Sequence, residues 1–376
     1  MKLALISPFP PYRGGISKHS ENLYNELCKN NEVIVYNFSR LYPDFFFPGT
    51  SQYLENIEYD ETKSIRSIDS LIPKTWKLTS ESILEKEIDY VIIRYWNPFF
   101  ILAYKSIIKY LRKKNAKIKI FAICDNIISH EKLYFEKLLV KSFLSKLDGA
   151  IVMSDNVKTR LITLNNKISY RKFFLPILDD LGNKINVKDA KEELSFNLDK
   201  KVFLFFGLIR EYKGLDILIS AINLINKDLI NRFECIIVGE NYEELDKYKN
   251  NIHKDFKGNI KWVTKYIPDE QVNLYFCASD FVVLPYKSAS QSGIIPMAYH
   301  FNKPIIVSDV KGLSEMVING ITGYIFKNKN IKDLKSIIES CITDDQNDID
   351  ENIINQCSIK LSTKSYAQNI INFINE

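Results

Sequence analysis

No run in this sequence approaches the ~18 consecutive apolar residues that a membrane-spanning helix needs. The apolar opening at Leu3–Ile6 is cut short by Pro8 and Pro10-Pro11, so a secretory leader is not expected either. The six cysteines, at 28, 124, 235, 277, 341 and 357, form no C-x-x-C pair and have no histidine cluster beside them. Neither a disulfide framework nor a zinc site is expected, and a reducing cytoplasm suits the chain best. A large excess of one charge is missing too. Against 46 Asp+Glu stand 51 Lys+Arg, and the +5 that remains excludes a generally polycationic nucleic-acid binder. What is present, 46% hydrophobic and 26% charged residues over 376, describes an ordinary folded chain rather than a disordered or fibrous one. That length suggests two domains, each with its own core.

Periodicity supplies the organisation. Short apolar runs at Lys2–Ser7, Val33–Asn37, Tyr90–Tyr95, Ile118–Cys124 and Ala150–Met153 read as strands. Helical patterns lie between most of them: Ile16–Lys29, Phe99–Lys114, about Glu131–Lys146, and from Asp155 onward. The stretch from Ser39 to Ser70 reads as irregular loops, and Phe173–Leu175 closes this half. The alternation restarts with strands at Val202–Phe206, Cys235–Val238, Ile260–Val263, Phe281–Leu284 and Pro304–Val307. Helices are expected at Gly214–Leu224, Asp269–Cys277 and Gly293–His300, with a short one at Ser314–Ile318. Strands that alternate with helices need parallel sheets with helices on both faces. The fold class is therefore α/β, with two doubly wound, Rossmann-like domains facing a cleft. The expected boundaries are 1–178, 179–362 and a last helical segment, 363–376, joined near Pro176–Lys184.

Ligands of such sheets bind where strands end. The first strand runs into Arg13-Gly14-Gly15-Ile16, either a tight strand-to-helix turn or a place where backbone N–H groups meet an anion. It does not match G-x-G-x-x-G, so a nicotinamide fingerprint is not supported. After Ala122–Cys124 come Asp125, Asn126, Ser129, His130 and Glu131, a polar cluster suited either to a catalytic edge or to turn and cap chemistry. In the second half, Gly207-Leu-Ile-Arg210-Glu-Tyr-Lys213-Gly214 sets two cations at a strand end, where they can neutralise a diphosphate. Ser290-Gln291-Ser292-Gly293-Ile294 offers hydroxyls and backbone N–H groups before a helix, or a plain N-cap.

Taken together these loops resemble the GT-B glycosyltransferases, specifically the retaining family 4 (group 1) type, over nearly the whole chain. The resemblance rests on Gly14-Gly15-Ile16, Gly207…Arg210…Lys213-Gly214, Tyr266–Phe276 before Asp280, Ser290–Ala298, and Gly312-Leu-Ser-Glu315…Gly320-Ile-Thr-Gly323. It implies an N-terminal acceptor-binding domain, a C-terminal nucleotide-sugar domain, and a final helix crossing back to the first. It implies donor contacts at Gly15, Arg210, Lys213, Ser290, Gln291, Ser292, Gly293 and Ile294, and catalytic roles for Asp125 and His130. Attack on the front face is implied, with the departing phosphate taking the acceptor's proton. No cofactor or divalent ion is implied beyond the donor, a nucleotide sugar of the UDP or GDP type. Two departures stand out. The family's Glu-x7-Glu falls here on Ala289 and Met297, or on Ser290 and Ala298, and Asp125 stands where many relatives have His.

The expected activity is transfer of a sugar to a surface-polysaccharide or lipid-linked saccharide acceptor. A nucleotide-sugar epimerase and a non-catalytic glycan-binding subunit are the alternatives. The charge bears on the acceptor side. From Ile101 to Lys146 eleven Lys/Arg face three acids, a local +8 that leaves −3 for the remainder. Either this is the solvated face of core helices, or it meets an anionic membrane surface, which would make a cytoplasmic enzyme peripheral on the inner face. No nucleic-acid partner is expected.

Overall fold

The computed structural model describes residues 1–43, 51–54, 60–128, 134–178, 181–241, 243–343 and 349–376. The chain divides into two units, Met1–Leu178 with Thr363–Glu376, and Asp179–Ser362.

Unit 1 is built on seven strands: β1 (Lys2–Ile6), β2 (Glu32–Arg40), β3 (Ser64–Asp69), β4 (Tyr90–Tyr95), β5 (Lys119–Cys124), β6 (Gly149–Val152) and β7 (Ser169–Lys172). They form one parallel sheet in the order β3-β2-β1-β4-β5-β6-β7. Its central strands read as unbroken apolar runs because both faces are covered. Ala4, Ile6, Val91, Ile93, Ile120 and Ala122 point to one face, against helix Ile101–Lys114. Their neighbours Leu3, Leu5, Ile92, Phe121 and Ile123 point to the other, against helices Gly15–Leu27 and Thr363–Ile374. The last helix buries Tyr366, Ile370, Phe373 and Ile374 there, and its Phe373 meets the Phe121 ring at 5.5 Å.

Unit 2 carries six parallel strands: β8 (Lys201–Phe206), β9 (Phe233–Val238), β10 (Ile260–Val263), β11 (Phe281–Leu284), β12 (Ile305–Ser308) and β13 (Gly323–Phe326). Their order is β10-β9-β8-β11-β12-β13. Phe203, Phe205, Cys235, Ile237, Val283 and Ile306 form one core with helices Leu215–Ile222 and Ile331–Thr343.

Both sheets reverse direction once, unit 1 between β1 and β4 and unit 2 between β8 and β11. Loops diverge at such a switch point and leave a crevice at the carboxyl ends of the strands. Two α/β units of this topology are as the sequence predicts.

The differences lie at the sheet edges. The stretch 39–70 contains β3 and the end of β2, not loops alone. β3 is an edge strand paired only to β2, and its Ile65 and Arg66 are exposed, so its apolar pattern is weak. Helix Pro73–Glu85 lacks a strong stripe because Thr79 and Ser80 take two of its buried positions. The edge strand closing unit 1's sheet is Ser169–Lys172 rather than Phe173–Leu175. The short helix near residue 314 is Lys311–Ser314.

Candidate functional site

In unit 2 the loops after β8 and β11 meet over the switch point. Gly207 leaves β8 with a positive φ of 106°, and its N–H donates to Val238 O at 2.9 Å. The chain then makes a single 3-10 turn, Glu211–Lys213, ending at Gly214 in the left-handed region. A Cβ on Gly214 would lie 1.9 Å from the carbonyl oxygen of Pro285. Here the β8 loop and the β11 loop touch backbone to backbone, and only glycine permits it. Lys287 N–H donates to Tyr212 O at 2.7 Å and closes the same junction. Gly214→Ala is therefore expected to destabilise unit 2 by more than ~1 kcal/mol and to weaken the donor binding that the resemblance implies, read by thermal unfolding with and without nucleotide.

This junction brings Lys213 inward. Its side chain is buried, with Nζ 5.3 Å from the centre of the Tyr286 ring. A Cβ built on Gly207 would lie 2.7 Å from that ammonium and 3.7 Å from Ile294 Cδ1, so Gly207, Lys213 and Ile294 converge. Among the described residues Lys213 has no carboxylate partner, and the buried Tyr286 hydroxyl has no hydrogen-bond partner. A buried cation without a counter-ion and an idle hydroxyl form a receptor for an anion.

The neighbouring cation is spent differently. Lys287 Nζ lies 3.0 Å from Asp216 Oδ2 and 3.9 Å from Glu211 Oε1. Arg210 is exposed and lines a cavity of about 400 Å3 with Glu211, Tyr212, Glu243 and Lys287. Glu243 accepts from the Glu211 N–H and the Tyr248 hydroxyl and pairs with Lys247. Burial pulls against its charge, but these donors outweigh it and hold its carboxyl below the usual range. The acid is already satisfied.

Ser292 is buried, and its Oγ accepts from Ile294 N–H at 3.3 Å, a local turn bond made one residue ahead of Gly293, the N-cap of helix Ile294–His300. Ser290, Gln291 and Gly293 are half-buried on the same loop. In the first register of the family's acid pair, Met297 is buried and Ala289 half-buried. In the second, Ala298 is buried and Ser290 half-buried. Neither register supplies a carboxylate.

In unit 1 the corresponding edge holds Gly15 and Asp125. Gly15 is exposed at the start of helix Gly15–Leu27, with open space where a Cβ would stand. Asp125 is buried and occupied. Arg94 donates to it twice, Nε to Oδ2 and Nη2 to Oδ1, both at 2.6 Å. Burial pulls the Arg94 guanidinium down, yet Asp125 overcomes this and holds it above its ordinary value. Close by, burial and Arg94 push the His19 imidazole down to about 3, so it stays neutral. His130 lies outside the described residues.

Three partners escape a reading of loops alone: Arg94, Tyr286 and Glu243. Arg94 carried a signal, being the one charge in the buried run Tyr90–Tyr95. A larger open hollow of about 560 Å3, beside Met1, Asn30 and Asp89, lies at the opposite edge of unit 1's sheet, away from these loops.

Comparison with known proteins bears on unit 2 most directly. Residues 186–356 match the sequence profile of the family described as Glycosyl transferases group 1. An uncharacterised glycosyltransferase of Methanocaldococcus jannaschii is 26% identical over 361 residues, spanning 92% of this chain and 90% of its own. Among solved structures, sucrose-phosphate synthase from Thermosynechococcus elongatus superposes with a TM-score of 0.74 at 15% identity, covering 100% of this chain and 98% of that one. Anabaena HepE, solved in complex with UDP, gives 0.74 at 15% identity, with 100% of both chains covered. The fold of the chain is thus the one these structures share.

Proposed function

We propose, from the match of residues 186–356 to the group 1 glycosyltransferase profile, that the protein is a metal-independent, retaining hexosyltransferase of the family 4 type. It moves a sugar from a UDP- or GDP-linked donor to a surface-polysaccharide or lipid-linked saccharide acceptor. The observation that carries this reading is the buried Lys213 ammonium over the ring of Tyr286, neither the ammonium with a carboxylate partner nor the Tyr286 hydroxyl with a hydrogen-bond partner among the described residues. A diphosphate supplies the charge and the acceptor oxygens that this pair lacks. HepE was solved with UDP, and a comparable donor is the natural occupant here.

Unit 2 then holds the donor and unit 1 the acceptor, in the cytoplasm. As the glycosidic bond breaks, negative charge grows on the departing phosphate, where Lys213 stabilises it, with Arg210 as the second cation. The same phosphate oxygen takes the acceptor's proton, so no free carboxylate base is required. This suits Asp125, whose two oxygens are committed to Arg94. Asp125 then shapes the acceptor edge as half of an ion pair.

The test is a panel of nucleotide sugars read by thermal shift, followed by acceptor-dependent nucleotide release. A donor at ~100 times its Kd raises stability by about 2.7 kcal/mol. Stabilisation by one UDP or GDP sugar, and nucleotide release only with acceptor, is the expected result. Binding without release under any acceptor would make the chain a non-catalytic glycan-binding subunit. Sugar isomers formed without acceptor would make it an epimerase.

A further inference from the structure

Three helices lie side by side on one face of unit 1's sheet: Pro73–Glu85 packs on Ile101–Lys114, which packs on Tyr134–Leu144. Each follows a parallel strand, β3, β4 and β5, so all three begin at the carboxyl edge that carries Asp125. Their outer surfaces carry protruding aliphatic side chains among the polar ones. Leu78 is 52% exposed, Leu102 59% and Leu138 54%, with Leu71 and Ile72 exposed just ahead of the first helix. Lysines stand among them. Lys74 lies between Leu71 and Leu78 on the first stripe, Lys105 and Lys109 follow Leu102, and Lys141 lies one turn beyond Leu138. None of these four lysines has a carboxylate partner among the described residues. From 71–86, 101–114 and 134–144 together, ten Lys/Arg face three acids.

We propose that this end of unit 1 seats on an anionic lipid bilayer. The leucines enter the boundary between headgroups and acyl chains, and the lysines stay at headgroup level. Protruding aliphatic side chains ringed by lysine are the pattern of a surface that lies in a membrane interface. A second copy of the chain would bring the same positive charge and be repelled. A nucleic acid would be met by aromatic faces or arginine forks. Here the exposed apolar groups are aliphatic, and the one arginine, Arg112, is already tied to Asp148 and the Ile118 carbonyl. The inference rests on the proposed acceptor role of unit 1 for its purpose, since it sets the acceptor edge at the bilayer where a lipid-linked sugar is found. Binding itself does not depend on that role.

Flotation of the whole chain with phosphatidylcholine vesicles, with and without phosphatidylglycerol, tests the proposal. Binding is expected only with the anionic lipid, and to fall about tenfold or more as salt rises to ~0.5 M. Lys105→Glu with Lys109→Glu, and separately Leu102→Ser with Leu138→Ser, are each expected to lower binding about tenfold or more. All four side chains are exposed or half-buried, and thermal unfolding of both variants checks that the fold is kept. Nucleotide-sugar stabilisation is measured on the same variants and is expected to be unchanged, which separates failure here from failure of the donor reading. No flotation with anionic vesicles at low salt overturns the proposal. So does binding that both double variants leave intact, or a dimer in solution that the leucine variant dissolves.

Discussion

Lys213→Ala is expected to lower kcat/KM for the nucleotide-sugar donor by about 100-fold or more, the range for loss of one preorganised group facing transition-state charge. The loss should fall on kcat as well as KM. On the proposed reading the ammonium meets a diphosphate in the ground state, and a more highly charged leaving group as the bond to the sugar breaks. Stability is expected to move the other way. In the free protein Lys213 is buried against Tyr286 and Gly207 with no carboxylate partner among the described residues, so on the proposed reading its charge is a cost of the fold. Lys213→Met keeps the stem that covers Tyr286 and removes only the charge, and it should melt no lower than the parent. A structural lysine would give the reverse pattern, with lower melting and donor kinetics near normal. Steady-state kinetics and thermal unfolding of Lys213→Ala and Lys213→Met together decide the matter.

That lysine also shows where a sequence stops being readable. The loop Gly207–Gly214 announces itself through two glycines and two cations between an apolar strand and an amphipathic helix. Its partner, Tyr286, looks like one more aromatic at the end of β11. Their meeting depends on β8 and β11 being neighbours across the switch point, which is a property of topology and not of either segment. The central strands were legible because burial on both faces leaves unbroken apolar runs such as Val202–Phe206 and Phe281–Leu284. The edge strands β3, β7 and β13 were not. One side of each is unpaired, their apolar faces are partial, and Gly323 opens β13 with a residue that usually marks a turn. Helix Pro73–Glu85 was missed for a related reason, since Thr79 and Ser80 are buried where a stripe would show leucine. Asp125 was legible as a polar residue at a strand end. What it does there was not, because the answer sits on the adjacent strand.

Arg94→Met is expected to destabilise unit 1 by about 3–5 kcal/mol, the usual cost of removing one partner of a buried ion pair. Arg94 and Asp125 are 1% and 4% exposed, the first on β4 and the second just past the end of neighbouring β5, and share two hydrogen bonds of 2.6 Å. Without the guanidinium, the carboxylate is left in a site where the His19 imidazole is itself held neutral, chiefly by burial. Asp125→Leu should cost a similar amount, since it strands the guanidinium instead. The double variant Arg94→Met/Asp125→Leu removes both charges and should recover most of the loss, because desolvating two charges offsets much of what their attraction returns. Calorimetry of the two single variants and the double closes the cycle, and additive losses would show that the pair does not couple. The double variant then separates structure from chemistry. If Asp125 only holds the acceptor edge through Arg94, turnover by the double variant stays within a few-fold of the parent wherever the fold is kept. If turnover collapses while stability returns, the carboxylate acts on the acceptor directly, and the pair with Arg94 opens before each transfer.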